Sequence, residues 1–300
     1  MTTTEPAIRL NTLLARNART EPLFKGEIAS NLVSLDLTNS VMPVTAGFPS
    51  MVRDMPYDFG ELALLTFLQA REAGKPFTLL PFVLAADFLH RYMHYNSAHG
   101  TLKPSDLAGK RIGVRSFTQT TGLWLRGFLE EDYGIALEKQ HWVCFQNPHV
   151  VEYREPEFVE RAPADKNLLQ MLLDGEIDAA VGLAPDITAA NPTLKPVFPE
   201  GAGEEWSKRT GIVPINHMPV LKAEIHRRSP ELAPELFRML VESKRVGENP
   251  PALPELRPYG IDPNRRGMEL LVRWGLRQQL LREPIPIDEL FDPITARLGA

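Results

Sequence analysis

The chain has 300 residues, of which 43% are hydrophobic and 24% charged, with a formal net charge of -5 and a pI near 5.9. This composition is typical of a globular protein, and the length suits one large domain or two lobes with separate cores. No basic tract is present, so nucleic acid and anionic membrane surfaces are not expected partners. The single cysteine, Cys144, excludes an intrachain disulfide and a cysteine-rich zinc site. It lies in an apolar WVCF run and is predicted to be buried and unreactive.

The first residues, MTTTEPAIRL, lack the basic segment and apolar core of an export signal, so we expect a cytoplasmic protein. The most apolar stretch, residues 77–89, is shorter than the ~20 residues that a membrane-spanning helix needs. It also contains Asp87. Small molecules are therefore the expected ligands.

In chain order, residues 7–14 and 31–37 are predicted strands. Arg19 and Thr20 follow the first strand, at the carboxyl end where α/β folds place binding groups. Residues 57–77 are predicted to form a turn followed by a mostly apolar helix. Glu61 would open that helix, where a carboxylate also complements the helix dipole.

Residues 77–84 are a continuous apolar run, which predicts a strand buried on both faces. His90 and His94 come next and are four residues apart, so on a helix they would share one face. The glutamate of a His-Glu-x-x-His zinc motif is missing, which argues against a zinc peptidase. We favour His90 acting alone, as an acid or a hydrogen-bond donor.

The segment from Gly109 to Gly134 reads as strand, polar loop and helix, since an apolar run at 111–114 gives way to helical spacing from Thr121. The loop carries five small hydroxyl or amide side chains, Ser116, Thr118, Gln119, Thr120 and Thr121. A strand end that meets a helix N-terminus attracts carboxylates. The loop is therefore a candidate anion site, with an ordinary capped helix as the alternative.

Further along, residues 144–166 and 189–205 are predicted to be loops, 168–173 a helix and 175–183 a turn and a buried strand. Residues 210–225 have strand character around His217, which is either a core histidine or a proton carrier near neutral pH. Residues 230–246 and 266–281 show helical apolar spacing. Nucleotide-binding glycine motifs and the Gly-x-Ser-x-Gly elbow are absent from the sequence.

Six segments in this order resemble the 4,5-dihydroxyphthalate decarboxylase family: NARTEPLFKG, YDFGELALLTFL, DFLH, GKRIGVRSFTQTTGLWLRGFLEEDYGI, GEIDAA and TGIVPINH. The resemblance covers roughly residues 9–246. It implies an α/β, two-lobed fold similar to type 2 periplasmic binding proteins, with an interlobe ligand cleft. Residues 1–97 and 208–300 would form one lobe, and 98–207 the other.

The resemblance also implies an activity, the non-oxidative decarboxylation of a hydroxylated, phthalate-like aromatic acid by protonation of the ring carbon. Such an enzyme is a carbon–carbon lyase. The implied catalytic residues are His90, His217 and Glu61. The implied substrate-binding residues are Arg19, Thr20, Ser116, Thr118, Gln119, Thr120 and Thr121. The expected partner is a small aromatic carboxylate, and a homo-oligomer is an open alternative.

No cofactor is required by the sequence, although a divalent metal held by His90, His217 and Glu61 is an alternative, because two imidazoles and a carboxylate are a recurring ligand set. The chain departs from the family at Ser116, where relatives usually carry a glutamate, which suggests a substrate with more negative charge or fewer hydroxyls. Two other functions stay open. One is a solute-binding protein of an ABC importer for an aromatic acid or similar anion, and the other is an enzyme of this fold with a different carboxylated substrate.

Overall fold

The computed structural model describes residues 7–250 and 255–300, which fold into two compact units. The first unit takes the described residues of 1–86, 215–269 and 285–300, and the second takes 87–214 and 270–284. Each unit is built on its own six-stranded sheet. The ranges predicted above for the two lobes stay a prediction.

In the first unit, the strand order is β2-β1-β3-β12-β4, and β5 pairs with β12. The strands are β1 (Ile8–Leu13), β2 (Val33–Asp36), β3 (Phe59–Ala63), β4 (Phe77–Leu79), β5 (Ala85–Ala86) and β12 (Ile215–Lys222). β1 is parallel to β2 and β3, whereas β12 runs antiparallel to β3, β4 and β5. Strands β3 and β12, far apart in sequence, thus lie side by side.

The second sheet has the order β11-β6-β10-β7-β8-β9. Its strands are β6 (Met93–Asn96), β7 (Arg111–Val114), β8 (His141–Cys144), β9 (Glu160–Arg161), β10 (Ala179–Val181) and β11 (Leu194–Pro196). The four strands from β10 to β9 are parallel, and β6 is antiparallel to both of its neighbours. Parallel strands buried on both faces read as continuous apolar runs, which is why β7 and β10 were predictable.

Ten α-helices cover the sheets in the described part of the chain. They are α1 (Glu21–Phe24), α2 (Phe48–Arg53), α3 (Leu64–Glu72), α4 (Thr120–Tyr133), α5 (Leu168–Leu173), α6 (Pro185–Ala190), α7 (Ala202–Thr210), α8 (Ala223–Arg228), α9 (Leu232–Gly247) and α10 (Arg265–Arg277). No helix in residues 7–250 or 255–300 is long and apolar enough to cross a lipid bilayer.

The core of the first unit lies between its sheet and α9. Leu236 and Leu240 of α9 pack with Leu10, Phe82 and Leu221 in one buried cluster. The i, i+4 spacing of the two leucines puts both on the face that meets the sheet. Burying each side chain is worth ~1.5–3 kcal/mol, so this contact is a main source of the unit's stability.

The second unit has an aromatic core around α4. The ring centroids of Trp124 and Phe128 lie 5.4 and 5.7 Å from that of Trp274. The indole fits only because residue 127 is glycine, since a Cβ there would stand 2.1 Å from a ring carbon of Trp274. α4 ends at Gly134, whose φ of +64° suits a glycine C-cap.

Most of the predicted elements are confirmed. Three are wrong. Residues 59–63 form strand β3 rather than a turn and a helix start, because all five residues are buried within a sheet, and Glu61 therefore lies on a strand. The predicted loop at 144–166 contains β9, and the predicted loop at 189–205 contains β11 and the start of α7. The apolar run at 77–84 forms a strand only over Phe77–Leu79.

Candidate active site

A buried carboxylate–imidazole pair, Glu61 and His217, lies at the centre of the first unit's sheet. In the β3–β12 ladder Glu61 faces Pro219 and His217 faces Ala63, so the two side chains are diagonal neighbours on one face. Glu61 Oε1 lies 2.6 Å from His217 Nδ1. Glu61 is 3% exposed, and the His217 side chain is 16% exposed. The sheet register thus brings together two residues predicted to be catalytic.

The second oxygen of Glu61 is held by the chain that follows β1. Its Oε2 accepts a hydrogen bond from the Ala15 N–H at 3.0 Å. Thr20 fixes that turn, because its hydroxyl donates to the Ala15 carbonyl at 2.5 Å and accepts from the Asn17 N–H at 3.1 Å. Thr20 is 1% exposed. The structure therefore places Thr20 behind Glu61, as a residue that shapes the turn.

His217 is oriented on two sides. Glu61 accepts at Nδ1, and the ring of Phe48 meets the imidazole edge-on with centroids 5.0 Å apart. In the described part of the chain, Nε2 has no hydrogen-bonding partner. A carboxylate at Nδ1 selects the tautomer with the proton on Nδ1, so the lone pair lies on Nε2. Nε2 can then accept a proton as a general base.

Arg19, predicted to bind substrate, is already engaged within the first unit. It donates to Glu248 Oε1 at 3.0 Å and to the Leu84 carbonyl at 3.2 Å. Arg257 donates to the same Glu248 oxygen, also at 3.0 Å. Two guanidinium groups therefore share one carboxylate, and the cluster keeps a net positive charge.

His90 lies in the aromatic core of the second unit. Its ring stacks on Phe128 with centroids 3.8 Å apart and meets Phe198 edge-on at 5.1 Å. Burial lowers the pKa of His90 to about 4, so its imidazole is neutral at neutral pH. It also lines a cavity of about 610 Å³, beside the ion pair of Arg209 with Asp132. His94 lies on strand β6 rather than on a helix, and burial lowers its pKa too.

The polar loop lies between the end of β7 and the start of α4, as predicted. Ser116 Oγ and Thr118 Oγ1 are 3.1 Å apart and share a hydrogen bond. Gln119 is the helix N-cap, but its side chain does not cap the helix. Gln119 Oε1 and Thr120 Oγ1 are buried without a hydrogen-bonding partner among the described residues. Buried polar atoms are normally paired, so these two atoms make the loop a candidate site for a polar ligand at the helix N-terminus, and that role stays a prediction.

Two relatives share extended similarity with this chain. The 4,5-dihydroxyphthalate decarboxylase of Comamonas testosteroni is 29% identical over 251 residues, which cover 80% of this chain and 76% of the relative. The 4,5-dihydroxyphthalate decarboxylase of Pseudomonas putida is also 29% identical, over 66% of this chain and 81% of the relative. The chain is related to the 4,5-dihydroxyphthalate decarboxylases. No family model matches it.

The predicted fold of this chain is confirmed by comparison with solved structures. The periplasmic sulfonate-binding protein SsuA of Methylobacillus flagellatus KT superposes with a TM-score of 0.61 at 12% identity, over 99% of this chain and 94% of that one. The fold class is thus the two-lobed, type 2 periplasmic-binding-protein-like α/β class. At this identity the likeness concerns the fold alone.

The predicted site residues of the chain form four groups. Glu61 and His217 are paired with Thr20 behind them, Arg19 shares Glu248 with Arg257, the 116–121 side chains share one loop, and His90 stands in an aromatic core. Their convergence on a single ligand stays a prediction. Among the described residues, no group of three or more His, Cys, Asp and Glu side chains is arranged to hold a metal ion.

Sequence reasoning missed two contributors to the histidine pair. The Ala15 N–H and the Phe48 ring both contact it, yet neither residue type marks a site. Arg126 of α4 is a further residue of interest, because it has no carboxylate partner in the described part of the chain.

Proposed function

We propose that this protein is a non-oxidative decarboxylase of a hydroxylated aromatic carboxylic acid, a carbon–carbon lyase whose substrate resembles 4,5-dihydroxyphthalate. The observation that carries the proposal is the buried Glu61–His217 pair, because an oriented imidazole with a free Nε2 suits proton transfer to and from a phenol. The names of the two relatives support the substrate class.

The reaction replaces the carboxylate on a ring carbon by a proton and releases carbon dioxide. In the proposed sequence, His217 Nε2 removes the proton from the ring hydroxyl para to the leaving carboxylate. The phenolate electrons make that ring carbon nucleophilic, and it takes a proton from the imidazolium. The carbon–carbon bond then breaks, its electron pair restores the aromatic ring, and solvent protonates the phenolate.

Glu61 supports each of these steps electrostatically. Its carboxylate faces the imidazolium that forms on His217, at 2.6 Å, and the Ala15 N–H keeps it in place. His90 is the weaker candidate for the acid, because burial keeps its ring neutral at neutral pH. We therefore assign both proton transfers to His217.

The polar loop would hold the carboxylate that the substrate retains. Thr120 Oγ1 lacks a hydrogen-bonding partner in residues 7–250 and 255–300, and the first-turn N–H groups of α4 attract an anion. Arg19 is a second candidate for a carboxylate contact, since the cluster with Arg257 and Glu248 carries a net positive charge.

The first test is to mix purified protein with 4,5-dihydroxyphthalate and follow the ultraviolet spectrum and released carbon dioxide, with and without a metal chelator. We expect turnover that His217→Gln and Glu61→Gln each lower by at least ~100-fold, the usual contribution of a general base. His90→Phe is the matched control, because it removes the other candidate histidine, and its turnover should fall much less than that of His217→Gln. Normal turnover in both His217→Gln and Glu61→Gln would refute the assignment, and chelator sensitivity would favour the metal alternative.

The competing function is capture of an aromatic acid without chemistry. It is favoured by the likeness of the fold to the sulfonate-binding protein SsuA. Thermal stabilisation of the protein by 4,5-dihydroxyphthalate with no released carbon dioxide would support this competitor.

A further inference from the structure

Arg126 is a fully buried arginine that has no counter-ion among the described residues. It is 1% exposed, and its Nε donates to Gln278 Oε1 at 2.7 Å while its Nη2 donates to the Phe117 carbonyl at 2.8 Å. Both acceptors are neutral. Nη1 has no partner among the described residues. The guanidinium carbon lies 4.1 and 4.8 Å from the ring centroids of Phe117 and Trp142, and these cation–π contacts compensate part of its charge without neutralising it.

The side chain nonetheless carries a positive charge. Burial lowers its pKa only to about 10, so it is protonated at neutral pH. An unpaired charge in a protein interior is costly, and natural proteins keep such a group only where something compensates it. In the described part of the chain, Arg126 has no ion pair that would do so.

The unpaired Nη1 points beneath the first turn of α4. A Cβ built on Gly122 would stand 3.2 Å from that nitrogen, so the glycine leaves the guanidinium in contact with the helix start. Its other branch holds the Phe117 carbonyl in the polar loop. The same turn carries Thr120, which is 3% exposed and whose buried hydroxyl has no partner among the described residues. The first turn of α4 therefore combines free backbone N–H groups and an unpaired hydroxyl with a guanidinium next to Gly122.

We propose that Arg126 is the counter-charge for a carboxylate bound by the 116–121 loop, and that this is the carboxylate retained by the aromatic substrate. The inference rests on the proposed function for the identity of the substrate, though not for the presence of the anion site. A low dielectric lets the charge act through the helix turn without direct contact. It follows that the reaction product, which keeps this carboxylate, also binds, whereas a catechol without any carboxylate does not.

The test is the affinity for phthalate, which has two carboxylates and no ring hydroxyl and so cannot react by the proposed route. Isothermal titration calorimetry would compare the wild-type protein with Arg126→Gln, Thr120→Val and Arg277→Gln. The last is the charge-matched control, because Arg277 is part-exposed and pairs with Glu130. We expect the Kd to rise by at least about tenfold in Arg126→Gln and by about threefold or more in Thr120→Val. Arg277→Gln should stay within about twofold of wild type.

Two results would overturn the inference. One is a phthalate Kd in folded Arg126→Gln within about twofold of wild type, and the other is catechol binding as tightly as 3,4-dihydroxybenzoate, the product expected from 4,5-dihydroxyphthalate. If Arg126→Gln does not fold by circular dichroism, Arg126→Lys and Thr120→Val decide instead. Lysine keeps the charge and should retain binding within about fivefold, and an unchanged Kd in Thr120→Val would remove the loop from the site.

Measurements of turnover and of phthalate binding test the decarboxylase activity and the anion site separately. Glu61→Gln should lose turnover of 4,5-dihydroxyphthalate while its phthalate Kd stays within about twofold of wild type. Phthalate binding that depends on Arg126 in a protein without turnover would keep the anion site and reject the enzyme. Turnover of 4,5-dihydroxyphthalate together with phthalate binding that does not depend on Arg126 would keep the enzyme and reject the anion site.

Discussion

His90 should make the protein lose stability in mild acid. The imidazole is 4% exposed and lies between Phe128 and Phe198, and burial lowers its pKa from 6.5 to about 4. Asp132 and Arg209, the charged groups nearby, act in opposite directions on this pKa. Below pH ~6.5 the unfolded chain therefore binds a proton at this position more readily than the folded chain does. Stability is fully present above that pH and falls as the pH drops toward 4.

The size of the loss follows from the shift in pKa. A change from 6.5 to about 4 corresponds to roughly 3 kcal/mol once the pH has reached the lower value. Between pH 7 and pH 5, linkage gives about 2 kcal/mol. A domain of marginal stability, ~5–15 kcal/mol, would show this clearly.

Replacing His90 by phenylalanine isolates the effect. The substituted ring can keep the stack on Phe128, and the buried Nδ1 that it removes has no partner among the described residues. Urea unfolding at pH 7 and pH 5 should show the wild-type protein losing about 2 kcal/mol more than His90→Phe. Phe198→Leu is the control, since it changes packing in the same core without adding or removing a titrating group. An equal acid loss in wild type and His90→Phe would refute the reasoning.

Three further outcomes are expected. Burial raises the pKa of the Cys144 thiol to about 12, so a thiol reagent at pH 8 should label it only after unfolding; rapid labelling of the native protein would contradict its burial. Gly247→Ala should destabilise by ~2 kcal/mol or more, because the new Cβ would stand 1.7 Å from the Ala18 carbonyl oxygen. A melting temperature equal to that of wild type would contradict that clash. Glu61→Gln should lower kcat by ~100-fold or more while leaving the melting temperature near that of wild type, and an unchanged kcat would leave His217 without its proposed partner.

The regular elements were predictable where one pattern dominates. Helix α9 was expected at 230–246 and spans Leu232–Gly247, since its apolar residues recur at helical spacing. Strand β3 was missed because the mostly apolar stretch from Phe59 into α3, interrupted by Glu61, suits a buried strand as well as a buried helix. Only the pairing with β1 and β12 settles its conformation, and that pairing is not local in sequence.

The candidate site was predictable in its residue types but not in its geometry. Glu61 and His217 were recognised as chemically capable, yet their contact depends on a register between strands that are 156 positions apart. Arg126 became a candidate because its Nη1 has no partner among the described residues, and the sequence alone does not show which side chains lie near a buried arginine. Arg19, by contrast, has an ion-pair partner, Glu248, that lies 229 positions away in the sequence and so was not predictable.

The interleaving of the two units bears on how the chain can be synthesised. Residues 270–284 belong to one unit and 285–300 to the other, so each takes its last segment from beyond position 269. Trp274, which closes the aromatic core against Gly127, is made about half a chain later than the helix it packs on. When synthesis has reached position 269, both units therefore still lack their last segments, and neither core is complete. We therefore expect both units to complete folding only after residues 270–300 have been synthesised, so that a nascent chain stalled before that point would depend on chaperones.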